Sequence, residues 1–163
     1  MNTNETSHLL DVVSQFETAM LVTHDLSGML RARPMSIAEV EKNGTLWFFT
    51  AHDSGKAPEL EKDSRVAVVM QGPSRYVSIT GTARLTREPE RLERLWRESW
   101  RPWFPGGAQD ATAVAVRVLP VAAEYWDLSG LSGVRYVADA LGAMVRRQRA
   151  SDDGDASYHQ KFA

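Results

Sequence analysis

Ser54, Gly55 and Lys56 close a polar loop that follows the apolar run Leu46-Trp47-Phe48-Phe49 and Thr50. A strand that ends in such a loop and opens a helix leaves backbone N–H groups free at the helix start, where the peptide dipoles sum to a partial positive charge. A hydroxyl from Ser54, close backbone approach at Gly55 and an ammonium from Lys56 are the donors a phosphate monoester takes. Arg31 and Arg33, in the segment one hairpin earlier, supply guanidiniums that a neighbouring strand can aim at the same anion. Pro34 comes next and has no N–H to give a sheet ladder, so a gap is expected there, with Met35 and Ser36 free to line a ligand. Two plainer readings stay open at this point: Ser54 as a helix cap beside a solvated Lys56, and an edge strand with surface arginines. His52, in the same loop, either touches the anion or is simply exposed.

Other chemistries lack their residues. There is no cysteine, so disulfides, thiolate metal sites and cysteine nucleophiles are excluded within the chain. His8, His24, His52 and His159 have no metal-ligand spacing, and neither a nucleophile elbow nor a P-loop occurs. Asp152-Asp153-Gly154-Asp155 is acidic but lacks the remaining ligands of a calcium loop. A net charge of -2 gives none of the basic footprint that nucleic-acid binding requires. No apolar run approaches the roughly 20 residues that span a bilayer, and Met1 to His8 is polar rather than basic and then apolar, unlike a signal peptide. The expectation is a cytoplasmic protein without nucleic-acid or membrane partners.

The elements that must position these residues are mostly strands. A chain of 163 residues, 43% hydrophobic and 25% charged, suits one soluble domain, expected over residues 1–150, with a mobile polar tail over 151–163. Leu9, Leu10, Val12, Val13 and Phe16 recur at helical spacing, which predicts a short amphipathic helix from Ser7 to Ala19. Strands are expected over Met20 to His24, Met29 to Val40, Thr45 to Thr50, Arg65 to Met70, Tyr76 to Leu85 and Ala111 to Leu119, the last extended through Val121 to Asp127. Leu26-Ser27-Gly28, Asn43-Gly44 and Gly72-Pro73-Ser74 supply turns. Gly81 lies inside its strand and predicts a bulge or a close backbone approach. Short helices are expected over Lys56 to Lys62, from Glu88 through Trp96 with Trp100 a turn further on, and over Tyr136 to Gln148. Six antiparallel strands hide their edges by closing, so the fold class is α+β, mainly β: a six-stranded barrel with short flanking helices. Five tryptophans give apolar area for a homodimer interface.

In this order the blocks resemble the pyridoxamine 5'-phosphate oxidase-like flavin-binding split-barrel superfamily, and within it the small general stress proteins of the general stress protein 26 kind. The blocks are Arg33-Pro34-Met35, Leu46 to Thr50 with Ser54 and Lys56, Tyr76 to Gly81, Trp96 to Gly107 ending in Trp103-Phe104-Pro105-Gly106-Gly107, and Glu124 to Asp127. The resemblance implies a split barrel, a homodimer and FMN sites across the dimer interface. It implies that Arg33, Ser54 and Lys56 bind the FMN phosphate. Pro34, Met35, Ser36, Phe49 and Thr50 would then lie along the ribityl chain and isoalloxazine, partly through backbone groups. Trp96, Trp103 and Phe104 would come from, or close over, the partner's side of the site; core and dimer packing is the other reading of this Trp-rich stretch. FAD is an alternative cofactor and the deazaflavin F420 ranks behind it; no histidine is placed as an axial ligand for haem. The vitamin-pathway oxidases end in an Arg-Leu-x-Pro-type segment, where this chain reads Arg146-Arg147-Gln148-Arg149. The resemblance therefore implies flavin binding without pyridoxamine phosphate oxidation. Two roles follow: a flavin-dependent oxidoreductase, in which FMN carries the redox chemistry, or a storage or stress-response module without turnover.

Overall fold

The period-two alternation becomes a closed sheet in the computed structural model, which describes residues 9–128 and the backbone of residues 159–162. A helix over residues 9–13 (α1) leads into β1 (Thr18–His24), β2 (Leu30–Val40) and β3 (Leu46–Ala51). Then come α2 (Lys56–Lys62), β4 (Arg65–Gln71), β5 (Arg75–Thr86), α3 (Pro89–Leu95) and β6 (Ala113–Asp127). The strand order β3-β2-β1-β4-β5-β6 is antiparallel throughout, and pairing of β3 with β6 closes it into a six-stranded barrel. Closure removes the edges that an open sheet of this size would leave. Among the described residues no helix is long and apolar enough to cross a membrane.

Alternation sorts the side chains as expected. Leu21, Phe48, Val68, Val116 and Val118 point into the barrel and are fully buried. Trp47 and Phe49 of β3 point the other way, into a second apolar layer with Leu92, Leu95 and Phe104. The β2–β3 turn uses Gly44 at φ 85, the left-handed region glycine enters without cost, and the Asn43 side chain accepts the Thr45 N–H at 2.9 Å. Gly81 is the close approach its position predicts. The β5–β6 register slips between Thr80 and Gly81, and a Cβ there would stand 2.2 Å from the Leu119 carbonyl oxygen.

Three elements differ from expectation. The helix expected to run from Glu88 through Trp96 ends at Leu95, because Trp96 adopts an extended backbone (ψ 139) and a 3-10 turn follows over Glu98–Trp100. Packing of Trp96 and Trp100 on Phe49 wins there over the local helical period, and Pro102 forbids a further turn. A seventh strand, β7 (His159–Phe162), lies in the polar segment where no strand pattern is legible. It pairs with Ala123–Trp126 of β6, a stretch beyond the part of β6 that β3 covers, so it uses a sheet edge that barrel closure leaves open. The amphipathic helix beginning at Ser7 is described from residue 9 and ends by residue 13, with bends before β1. The helix expected over Tyr136 to Gln148 lies outside the described residues.

Candidate functional site

The chemistry-bearing segments converge where the barrel splits. β2 and β3 pair only at Ile37↔Phe48, Glu39↔Trp47 and Val40↔Leu46. Beyond Ile37 the strands part: the Leu30–Ser36 stretch of β2 pairs with β1 alone, and the Phe49–Ala51 end of β3 pairs with β6 alone. Pro34 sits in this parted stretch, so the ladder gap predicted from its missing N–H is present. Arg33, Pro34, Met35 and Ser36 border one side of the split; Phe49 and Thr50 border the other. Ser54 and Lys56 follow in the loop and the first turn of α2.

The register of β2 explains what lies at the mouth of this split. Arg31 and Arg33 share a face with Met35 and Ile37, which is the core-facing side. Arg33, whose side chain is only 16% exposed, cannot be buried there without a counter-charge. α2 supplies it in Glu59, whose side chain is only 4% exposed. Arg33 Nη2 donates to both Glu59 oxygens, at 2.6 and 2.5 Å, and Arg33 Nη1 donates to Thr23 Oγ1 at 3.2 Å. The Thr23 hydroxyl donates to Glu59 Oε2 at 2.7 Å, which completes a closed triangle on β1, β2 and α2. Arg31 touches Glu59 only at 3.4 Å, and its side chain is 60% exposed.

Lys56, one helical turn before Glu59, faces the same cluster. Burial lowers the pKa of its ammonium, the charges of Arg33 and Arg31 add to that, Glu59 opposes them, and the net result lies below the ordinary lysine value. Burial pushes the Glu59 carboxyl up, but hydrogen bonds from Arg33 and Thr23 and the arginine charges outweigh it and hold the group below its ordinary value. Among the described residues three cations, Arg31, Arg33 and Lys56, thus face one carboxylate, and two positive charges remain in excess. Since α2 has only seven residues, these side chains rather than its dipole dominate the local potential.

The remaining expected residues fall into distinct settings. The Ser54 hydroxyl donates to the Ala51 carbonyl at 2.5 Å and so shapes the turn into α2, where Gly55 is the N-cap. The Met35 side chain is 6% exposed and belongs to the barrel core, leaving its backbone to border the split. Pro34 and Ser36 are exposed on the outer face, and Thr50 is buried. Phe49 packs edge-on against Trp96 and Phe104, with ring centroids 5.6 and 5.0 Å apart, and stacks on Trp100 at 5.2 Å. Trp96 and Phe104 therefore cover β3 of their own chain. Trp103 is 72% exposed. His52 takes part in the loop through its backbone N–H, donated to Thr112 O at 2.7 Å.

Sequence reasoning missed Glu59 and Thr23. The available signal was the parity of β2: once Met35 and Ile37 are assigned inward, Arg33 next to them on that face must be inward too, and its burial obliges a nearby carboxylate.

A split barrel with a cation cluster at the end of its parted strands is a recognisable arrangement, and residues 4–151 match the model of the family described as pyridoxamine 5'-phosphate oxidase like. The chain belongs to that family. Among solved structures, the split barrel is similar to the general stress FMN/FAD binding protein from Xanthomonas citri, with 27% identity, a TM-score of 0.66, and 77% of this chain and 90% of that one covered. It is also similar in fold to general stress protein 26 from Bacillus anthracis str. Sterne, at 18% identity and TM-score 0.68 over 76% of this chain and 94% of that one. A pyridoxamine 5'-phosphate oxidase-related, FMN binding protein from Nostoc punctiforme PCC 73102 matches at 17% identity and TM-score 0.57 over 79% and 85%. No curated protein matches the chain at a significant level. The six-stranded split barrel and the family expected from the sequence both stand.

Proposed function

We propose that this split barrel binds FMN, with the phosphate among Arg31, Arg33 and Lys56 beside the Ser54 loop and the rest of the cofactor along the parted strands. The observation that carries the reading is the coincidence of the strand gap at Pro34 with an excess of two positive charges at its end. That excess equals the charge of a phosphate monoester dianion. The diphosphate of FAD carries the same total of two charges but spreads them over two phosphorus atoms, whereas FMN places both on one terminal phosphate, which suits a cluster gathered at one end of the split. The FMN/FAD-binding description of the Xanthomonas citri relative supports the same reading. FMN, when bound, would supply electron or hydride transfer through its isoalloxazine. The chain's own residues would anchor the phosphate, and Arg33–Ser36 and Phe49–Thr50 would border the ligand on the side where β2 and β3 do not pair.

Two copies pair in this reading through the outer face of β1, β2 and β4. Met20, Leu30 and Val69 are exposed there, Met20 and Val69 stand opposite each other, and Pro34 and Ser36 share that face. An exposed apolar sheet face of this kind is an association surface. It would place the split beside the partner, as flavin sites across a homodimer interface require.

The test is the visible spectrum of purified protein, followed by titration of the apoprotein with FMN. Flavin absorbance and quenching of FMN fluorescence are expected. A reconstituted sample showing neither overturns the reading. Anaerobic addition of NADH or NADPH then separates the two roles: saturable reduction marks an oxidoreductase, and slow, non-saturable bleaching marks a binding module of the stress-response type.

A further inference from the structure

The Arg33–Glu59–Thr23 triangle contains a carboxylate that a phosphate site would ordinarily exclude. An anion 2.5 Å from the very guanidinium expected to bind phosphate competes with the ligand for it. Burial of Glu59 at the barrel end, together with three short contacts from two strands, makes it a fixed part of the site. Its partners occupy Arg33 Nη2 and one N–H of Nη1, whereas Arg33 Nε has no hydrogen-bond partner among the described residues. The guanidinium is therefore pinned in one rotamer with a defined edge to spare. Preorganising a long side chain in this way removes rotamer entropy that phosphate binding would otherwise lose. Glu59 is also the carboxylate acting on Lys56, one turn earlier on the same helix, against the charges of Arg31 and Arg33.

We propose that Glu59 is a positioning residue for phosphate recognition: held by Thr23, it locks Arg33 in its binding orientation, and from one helical turn beyond Lys56 it serves as the counter-charge that lets three cations share one phosphate site. This rests on the FMN reading above, and it assigns to Glu59 a role in ligand selection beyond its role in folding.

The groups facing Lys56 are Arg33 and Arg31 on β2 and Glu59 on its own helix; the first two disfavour its protonated form and Glu59 favours it. Removing the Glu59 charge must then move Lys56 deprotonation to lower pH. The experiment compares dissociation constants for FMN and riboflavin between pH 6 and 10 in wild type, Glu59→Gln and Glu59→Asp. Gln keeps the shape and can still accept from Arg33; Asp keeps the charge but is one methylene shorter. In wild type, FMN is preferred over riboflavin and the preference falls on an alkaline limb. In Glu59→Gln the limb moves to lower pH, because the one charge that favours the protonated ammonium is gone. In Glu59→Asp the limb stays and the preference drops several-fold, because the shorter side chain no longer holds Arg33. A Glu59→Gln limb that coincides with wild type overturns the proposal, as does an unchanged FMN preference in Glu59→Asp. Should Glu59→Gln fail to fold, the Asp variant alone decides: a retained limb with weakened preference supports the proposal, and any other pattern overturns it. Absence of FMN binding in wild type refutes the FMN reading itself and is distinct from both.

Discussion

Replacing Lys56 with alanine isolates the phosphate from the rest of the flavin. Lys56 faces Arg31, Arg33 and Glu59 in a partly buried cluster, so its ammonium meets an anion with limited screening. A hydrogen bond to a charged group contributes about 1.5–3 kcal/mol, which is about 10- to 150-fold in affinity. Arg31 and Arg33 remain in the variant and compensate part of the loss, so the expected weakening of FMN is about 10- to 50-fold. Riboflavin carries the same ring and ribityl chain without the phosphate and should change by less than about twofold. The assay is fluorescence titration of both ligands against wild type and Lys56→Ala at pH 7, with the ratio of ratios as the reported quantity. A pH series adds a second check. The ammonium titrates below the ordinary lysine value, so wild type should lose its FMN preference as pH rises through that lowered value while riboflavin binding stays flat. Equal losses for the two ligands in Lys56→Ala would refute the phosphate assignment.

Three further outcomes are expected. Gly81→Ala puts a methyl 2.2 Å from the Leu119 carbonyl oxygen and 3.2 Å from Pro120 Cα, contacts with backbone that cannot swing away; chemical denaturation should show a loss of about 2–4 kcal/mol, and an unchanged midpoint would mean the bulge relaxes freely. Because the Glu59 carboxyl is held below its ordinary value when folded, the stability it contributes is fully present above the ordinary carboxylate range and is lost as pH falls through the folded value; melting temperatures from pH 7 down to 3 should fall less steeply in Glu59→Gln than in wild type, and parallel slopes would contradict this. Val69→Asp puts a charge opposite Met20 on the outer face proposed as the dimer surface, and should convert a dimer to a monomer in analytical ultracentrifugation while circular dichroism stays native.

How much of this was legible in the sequence depends on the range of the interaction concerned. The strands were readable because alternation is local, and Pro34 and Gly81 announced a ladder gap and a close approach through properties of their own backbones. The turn from β3 into α2 at Ser54-Gly55-Lys56 was readable from the same local chemistry. The role of Glu59 was not, because it depends on α2 crossing the barrel end to meet β1 and β2, an encounter no window of sequence contains. Trp96 and Phe104 posed the opposite difficulty. Their aromatic character fitted a ligand wall, a partner contact or a core equally well, and only the position of Phe49 on the outer side of β3 places them against their own chain. β7 pairs through its backbone with an edge left open by β6, so its existence depends on the shape of the barrel more than on its own residues.

The surplus of cations at the barrel end also bears on how the fold and its solvent interact. Arg31, Arg33 and Lys56 repel one another across a mouth where one carboxylate is shared among them. Any small dianion that settles there relieves this repulsion in the native state and has no comparable site on the unfolded chain. Phosphate or sulfate should therefore raise the melting temperature more than chloride at equal ionic strength, with a saturating dose response in place of the gradual rise expected from salting-out. Buffer choice becomes a hidden ligand: a preparation in phosphate would look sturdier and bind FMN more weakly than the same protein in an amine buffer.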